Sequence, residues 1–254
     1  MRILLFASWI LFLTTIAAAQ PNLSQATKFD EFGDAYPTDA AARLDNFATT
    51  LEQLPRANGF IIGYRSFRDL PGVTGRRINW MRSYLIHSRG MNPERIKAID
   101  GGEASCLTHE FWVVPPGTAP TPRADAYSRG FDDLGVARKF DEYHFTILQD
   151  HLESYSTEYE GGLEGFAEAL RKEPRSLAYL IAYGEYQKGR LGRRDPPGTA
   201  LKELRSTKAG LVRALGISAS RIRLVDGGYR NARAMELWIM PRGMRAPIPT
   251  PNVF

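Results

Sequence analysis

Cys106-Leu107-Thr108-His109, flanked by Glu103 and Glu110, gathers a thiol, an imidazole and two carboxylates in one short stretch. These are the donor types of a zinc site, and a cysteine near a histidine is also the start of a nucleophile–base pair. The spacing is too loose for a metal, no second ligand pair follows, and no third group orients the base. The sequence therefore predicts a buried thiol beside a surface histidine. Asp100-Gly101-Gly102 and Asp226-Gly227-Gly228 have the composition of a phosphate or metal loop. Paired glycines are also what a turn between two strands needs, since they accept positive φ without steric cost. The expectation is two structural turns, each fixed by its aspartate bonding nearby backbone amides. Asp30-Glu31 and Asp141-Glu142 are adjacent on predicted strands and point to opposite faces, so neither pair can flank one scissile bond. His144 and His151, near Asp150 and Glu153, read as a solvated polar stretch. Arg190, Arg193 and Arg194 could fork onto a carboxylate or phosphate, but a charge run of this kind reads as a solvated loop. No Gly-Lys-Ser/Thr phosphate loop, His-Glu-x-x-His or Gly-x-Ser-x-Gly occurs. These residues predict no catalytic set, no metal centre and no cofactor.

The elements that must position these residues occur twice. Lys28-Phe29-Asp30-Glu31-Phe32 returns as Lys139-Phe140-Asp141-Glu142-Tyr143, Arg95-Ile96 as Arg221-Ile222, and Glu110-Phe111-Trp112 as Glu236-Leu237-Trp238. A repeat of this length is a whole small domain. In the first copy, residues 29–32 read as a strand, and Thr38 or Asp39 as a helix N-cap. Leu44, Phe47, Ala48 and Leu51 form a helical stripe closed by Pro55. Residues 60–64 are a strand, 65–75 a loop, and a second helix opens near Arg76 with Ile78, Met81 and Leu85 inward. Gly90 is its left-handed cap. Residues 95–99 and 109–114 are strands with a turn over 100–108. The second copy repeats the order through Leu163, Phe166, Ala167 and Leu170, strand 177–183, and Leu204, Leu211 and Leu215 capped by Gly216. Strands 221–225 and 234–240 close it. Its insertions are 151–160, ahead of the first helix, and 185–199, an exposed Gly/Pro/Arg-rich loop. The fold class is thus α/β, an α+β two-layer sandwich of two tandem β-α-β-α-β-β units over 28–114 and 138–240. A Pro-rich linker (115–137) and a Pro-rich tail (241–254) complete the order. Apolar residues occupy both faces of each closing strand, so the tryptophan faces are expected to pack against the sister unit or a Pro-rich segment.

Arg2, the apolar run 3–16 and Ala17-Ala18-Ala19 read as a signal peptide over 1–19, cleaved after Ala19. No later stretch is apolar and long enough to span a bilayer, so the mature chain is expected to be periplasmic or secreted without a transmembrane segment. The lone Cys106 leaves the fold without an internal disulfide. A net charge of +5, arginine-rich with mixed signs, lacks the clustered basic face that nucleic-acid binding requires.

Residues 44–114 resemble the OmpA-like C-terminal domain, the module that tethers outer membranes to peptidoglycan. The resemblance rests on Leu44…Phe47-Ala48…Leu51, Ile61-Ile62-Gly63-Tyr64, Arg76-Arg77, Tyr84-Leu85 and Gly90-Met91-Asn92-Pro93-Glu94-Arg95-Ile96. Residues 163–240 are similar to it more faintly, and the units are identified as two degenerate tandem copies. The resemblance implies a grip on diaminopimelate by an Asp after the middle strand and an Arg opening the second helix. Here those positions are Ser66 and Arg77 in unit one, and fall near Glu185 and Glu203 in unit two, so neither unit keeps the pair. Together with Arg193 and Arg194 these are the candidate ligand-binding residues. The expected function is an exported, non-enzymatic binding or structural protein of a bacterial cell envelope, its partner a cell-wall component or an envelope protein. The alternative is a peptidoglycan binder with a residual site centred on Arg77.

Overall fold

A computed structural model describes residues 24–121, 123–126, 137–145, 152–187, 192 and 194–252. The predicted signal segment, Arg190 and Arg193 lie outside the described residues. Unit one runs β1 (Thr27–Phe32), α1 (Pro37–Gln53), β2 (Asn58–Ser66), α2 (Gly72–Ser83), β3 (Ile96–Ala104) and β4 (Thr108–Val114). Unit two runs β5 (Arg138–Phe145), α3 (Leu152–Lys172), β6 (Ser176–Glu185), α4 (Thr199–Arg213), β7 (Ile222–Arg230) and β8 (Arg233–Pro241). Each unit is a four-stranded mixed sheet with two helices. The strand orders are β1-β4-β2-β3 and β5-β8-β6-β7, and only β2/β3 and β6/β7 are parallel. The α/β class and the tandem β-α-β-α-β-β order are as the periodicity predicts.

The helix stripes bury as their spacing requires: Leu44, Phe47, Ala48 and Leu51 of α1, and Leu163, Phe166, Ala167 and Leu170 of α3. Phe47 stacks on Phe111 of β4 with ring centroids 5.0 Å apart. Several boundaries differ from expectation. The N-cap of α1 is Tyr36, with Pro37 in the first turn, in place of Thr38 or Asp39. α2 opens at Gly72 behind Pro71, so the expected 65–75 loop shrinks to a turn. α3 begins at Leu152, so all but the first residue of the 151–160 insertion expected ahead of the helix belong to it.

The Asp-Gly-Gly motifs are not turns between strands. β3 pairs only with β2, so Asp100-Gly101-Gly102 lies inside β3 as a bulge: Gly63 faces Asp100 and Arg65 faces Glu103, leaving two glycines opposite Tyr64. Gly102 has φ +90°, and its N–H donates to Asp100 Oδ1 (2.9 Å). Gly227 and Gly228 do the same opposite Tyr183. The aspartates bond the nearby amides as expected, but the glycines serve the tyrosine. A Cβ on Gly101 would lie 2.3 Å from the Tyr64 ring, and one on Gly227 2.4 Å from that of Tyr183.

The Lys-Phe-Asp-Glu repeat is also a bulge. A register shift between Lys28 and Asp30, and between Lys139 and Asp141, interrupts the alternation of β1 and β5. Phe29 thus packs on Phe47 beneath α1 and Asp30 pairs with Arg43 of α1, while Lys28 and Glu31 meet each other on the sheet's other face. The repeated arginine before β3 and β7 closes the first helix of its unit, α1 or α3. Arg95 donates to the carbonyls of Leu51, Leu54 and Ala57, and Arg221 to those of Leu170, Glu173 and Ser176.

The second sheet faces carry Ile62, Tyr64, Trp112 and Val114 in unit one, and Ile181, Tyr183 and Trp238 in unit two. Pro-rich segments cover them. The Arg123 N–H donates to Tyr64 Oη (3.5 Å), and the Thr250 N–H to Tyr183 Oη (3.0 Å). The units meet elsewhere, where α2 packs on α3. Gly72 lets the helix approach β5: a Cβ there would lie 2.6 Å from Phe140 and 2.8 Å from Asp141. Arg76 donates to the fully buried Asp141 (Nε–Oδ2 3.1 Å) and lies over the Tyr143 ring. Aligning the stripes of α1 and α3 sets Gly162 where unit one has Arg43. Unit one supplies its own arginine to Asp30, and also supplies the one that Asp141 receives.

Candidate functional site

Charged side chains on the second sheet faces form matching networks. Glu110 accepts from Lys28 Nζ (2.7 Å) and from Trp112 Nε1 (2.8 Å), and Glu236 from Lys139 (3.2 Å) and Trp238 (2.9 Å). Each network is completed by an arginine over the bulge tyrosine, taken from different places in the chain. Arg123, beyond β4, bonds Glu31 (2.7 Å), whereas Arg230, ending β7, bonds Glu142 (2.7 Å) and Glu236 (2.6 Å). Arg230 also donates to Thr250. These groups satisfy one another, and their work is to hold the Pro-rich segments in place.

The two copies diverge on the helix side. The inward stripe Thr74, Ile78, Met81 and Leu85 of unit one matches Ala200, Leu204, Thr207 and Leu211 of unit two, which pairs Arg77 with Glu203. In the sheets, His109 stands opposite Gly63 as Met235 stands opposite Ala182. A polar trio in unit one, Thr74, Arg77 and His109, therefore replaces Ala200, Glu203 and Met235.

His109 is fully buried at an inward position of β4, its ring 5.3 Å from that of Phe32. Its Nδ1–H donates to the Gly33 carbonyl (3.3 Å), which leaves Nε2 as a bare acceptor with no partner among the described residues. Burial, with the Arg77 charge adding to it, lowers the imidazole pKa to about 4. Arg77 spends Nη1 on Asp34 (2.6 Å), at the turn after β1, while its buried Nε–H is unpartnered. The Thr74 hydroxyl is also buried without a partner, and the Thr74 methyl lies against Gly63 beside the imidazole. Phe32, Pro37, Ala40, Trp80 and Met81 are among the residues that line, with Arg77 and His109, a cavity of about 190 Å³. Two residues that line one pocket thus carry a donor and an acceptor that are buried and without a partner among the described residues. Orphaned groups of this kind cost stability unless something occupies the site.

The other sequence candidates are placed as follows. Ser66 ends β2, its N–H donating to Asp69 Oδ2 (2.9 Å) and its hydroxyl accepting from the Arg68 N–H (3.4 Å). It does not line the Arg77 pocket. Glu185 is buried at the end of β6, bonded to Gln187, and its N–H donates to Asp195 Oδ2 (2.8 Å). Asp195 thus holds the strand end as Asp69 does in unit one, and it is gripped in turn by two nitrogens of Arg233 (2.6 and 2.5 Å). The Arg233 pKa is raised, first by this bond to Asp195 and further by the charges of Glu203 and Glu185. Arg194 lies over the rings of Tyr229 (4.9 Å) and Tyr186 (5.4 Å) as part of the anchored end of the loop. That loop is not uniformly exposed, since Asp195 is buried. The expected buried thiol and surface histidine are reversed: Cys106 is exposed in the β3–β4 turn, and His109 is in the core. β4 starts at Thr108, and His109 shares the strand alternation of the core residues Phe111 and Val113, which turns the imidazole inward. Among the described residues no group of three or more His, Cys, Asp or Glu side chains is placed to hold a metal. The signal that would have found His109 is its alignment with Met235, a core residue in the sister copy. Comparison with known proteins returns no matching family model and no similar curated protein.

Proposed function

We propose that this chain is an exported, non-enzymatic binding protein of a bacterial cell envelope, in which unit one holds the ligand and unit two buttresses it. The observation that carries the binding role is the pair of free buried nitrogens, Arg77 Nε and His109 Nε2, on two residues that line one cavity in unit one where unit two has Glu203 and Met235. A binding role is favoured over a catalytic one by the electrostatics. An imidazole whose pKa lies near 4 is too weak a base for efficient proton abstraction at neutral pH, yet it is a permanent hydrogen-bond acceptor. Export and envelope location rest on the N-terminal sequence and on the resemblance to the OmpA-like domain. The free Nε–H of Arg77 favours a second reading, peptidoglycan binding at the residual site. Co-sedimentation with purified peptidoglycan, comparing the wild type with Arg77→Ala, separates the two. Retention that falls with the substitution supports the wall binder. No retention, with a discrete partner captured by cross-linking that depends on Arg77, supports a different ligand in the pocket. Turnover of a substrate by the wild type and not by His109→Met would overturn the non-enzymatic reading.

A further inference from the structure

We infer that the unit-one pocket takes an uncharged ligand group carrying a hydrogen-bond donor beside an acceptor, a carboxamide on a small apolar body. The inference rests on the binding role proposed above and specifies its chemistry. Two residues of the pocket wall carry one free buried donor, Arg77 Nε–H, and one free buried acceptor, His109 Nε2. The acceptor is fixed as such because Nδ1–H is committed to the Gly33 carbonyl. A carboxylate could accept from Arg77, but its lone pairs would oppose that of Nε2, and the guanidinium charge is already shared with Asp34. An ammonium group could donate to His109 but would face the guanidinium. A carboxamide answers both, its carbonyl to Arg77 and its N–H to His109. The walls, Phe32, Trp80, Met81, Ala40 and Pro37, suit an alkyl or ring body, and about 190 Å³ accommodates only a fragment or one side chain.

The test titrates the full chain, with ¹⁵N-labelled histidine, with propionamide, propionate and propylammonium, following the His109 Nε2 resonance and the thermal midpoint. His109→Met assigns the resonance among the four histidines. A fragment of about five heavy atoms is expected to bind with a Kd on the order of 0.1 M or tighter. The expected result is that propionamide shifts His109 and raises the midpoint, at least about tenfold more tightly than either ion, and that Arg77→Lys, which lacks the Nε–H, loses about tenfold. Equal or tighter binding of propionate or propylammonium would overturn the ligand class while leaving the pocket as a binding site. Failure of all three to move His109 would remove the pocket as a site, and the binding role with it.

Discussion

His109 holds a neutral imidazole among Arg77 on α2, Asp34 in the turn after β1, and the Gly33 carbonyl. Its pKa is about 4 folded and near 6.5 unfolded. Below pH 6.5 the unfolded chain takes up a proton that the folded chain refuses. The contribution is therefore fully present above pH 6.5 and is lost as pH falls to about 4, a total of about 3 kcal/mol. His109→Met, copying the sister unit, should flatten the stability–pH curve by that amount relative to wild type in urea unfolding at paired pH values. A second test at this scale concerns glycines. Gly101→Ala drives a methyl into the Tyr64 ring and should cost about 1–3 kcal/mol. Gly75→Ala, in α2 with nothing within 4 Å of the new Cβ, should stabilise by up to about 1 kcal/mol. Equal effects in thermal melts would mean that the close approach of Gly101 is not what the motif conserves between the copies.

Elements in this fold are joined by arginines. Arg95 and Arg221 close α1 and α3 from the heads of β3 and β7, while Arg123 and Arg230 hold the Pro-rich segments on the second sheet faces. The last two occupy equivalent space from unrelated sequence positions, because the sheet supplies the same tyrosine, tryptophan and glutamates to whichever guanidinium reaches them. Arg230→Ala would leave Glu236, which is 2 % exposed, with Lys139 as its remaining cation, and would free Thr250. A loss of about 3–5 kcal/mol is expected, with faster proteolytic cleavage within residues 241–252. Unchanged cleavage would show that Tyr183 and the prolines hold the tail without the arginine. Helix stripes, the left-handed glycines Gly90 and Gly216 and the element order along the chain were legible because each depends on residues a few positions apart. The extents of β3 and α2 were not. The Asp-Gly-Gly bulge and the Gly72 start depend on a tyrosine and a phenylalanine brought in from other elements.

Across the whole molecule, the Arg76–Asp141 pair is a buried charge pair that spans the two units. Asp141 is fully buried, and burial pushes its carboxyl above the ordinary carboxylate range even with Arg76 pulling the other way. Arg76→Ala strands that charge and should cost about 3–5 kcal/mol, while Arg76→Met combined with Asp141→Leu should recover most of the loss. Additive losses in the double variant, measured by urea unfolding, would mean that the pair does not couple the units. Because Arg76 and Arg77 are neighbours on α2, the contact with unit two also fixes the helix that carries the candidate ligand group.

The sequence alone determined the repeat, the α/β element order and the region where the copies differ, since these are carried by local periodicity, capping and the alignment of one copy with the other. Only the tertiary structure decided that His109 is buried and Cys106 exposed, that Arg76 serves the other unit, and that Arg123 and Arg230 converge on one role. Each of these depends on which face a strand presents and which distant element covers it, and a charge or an imidazole carries no local mark of its eventual neighbours.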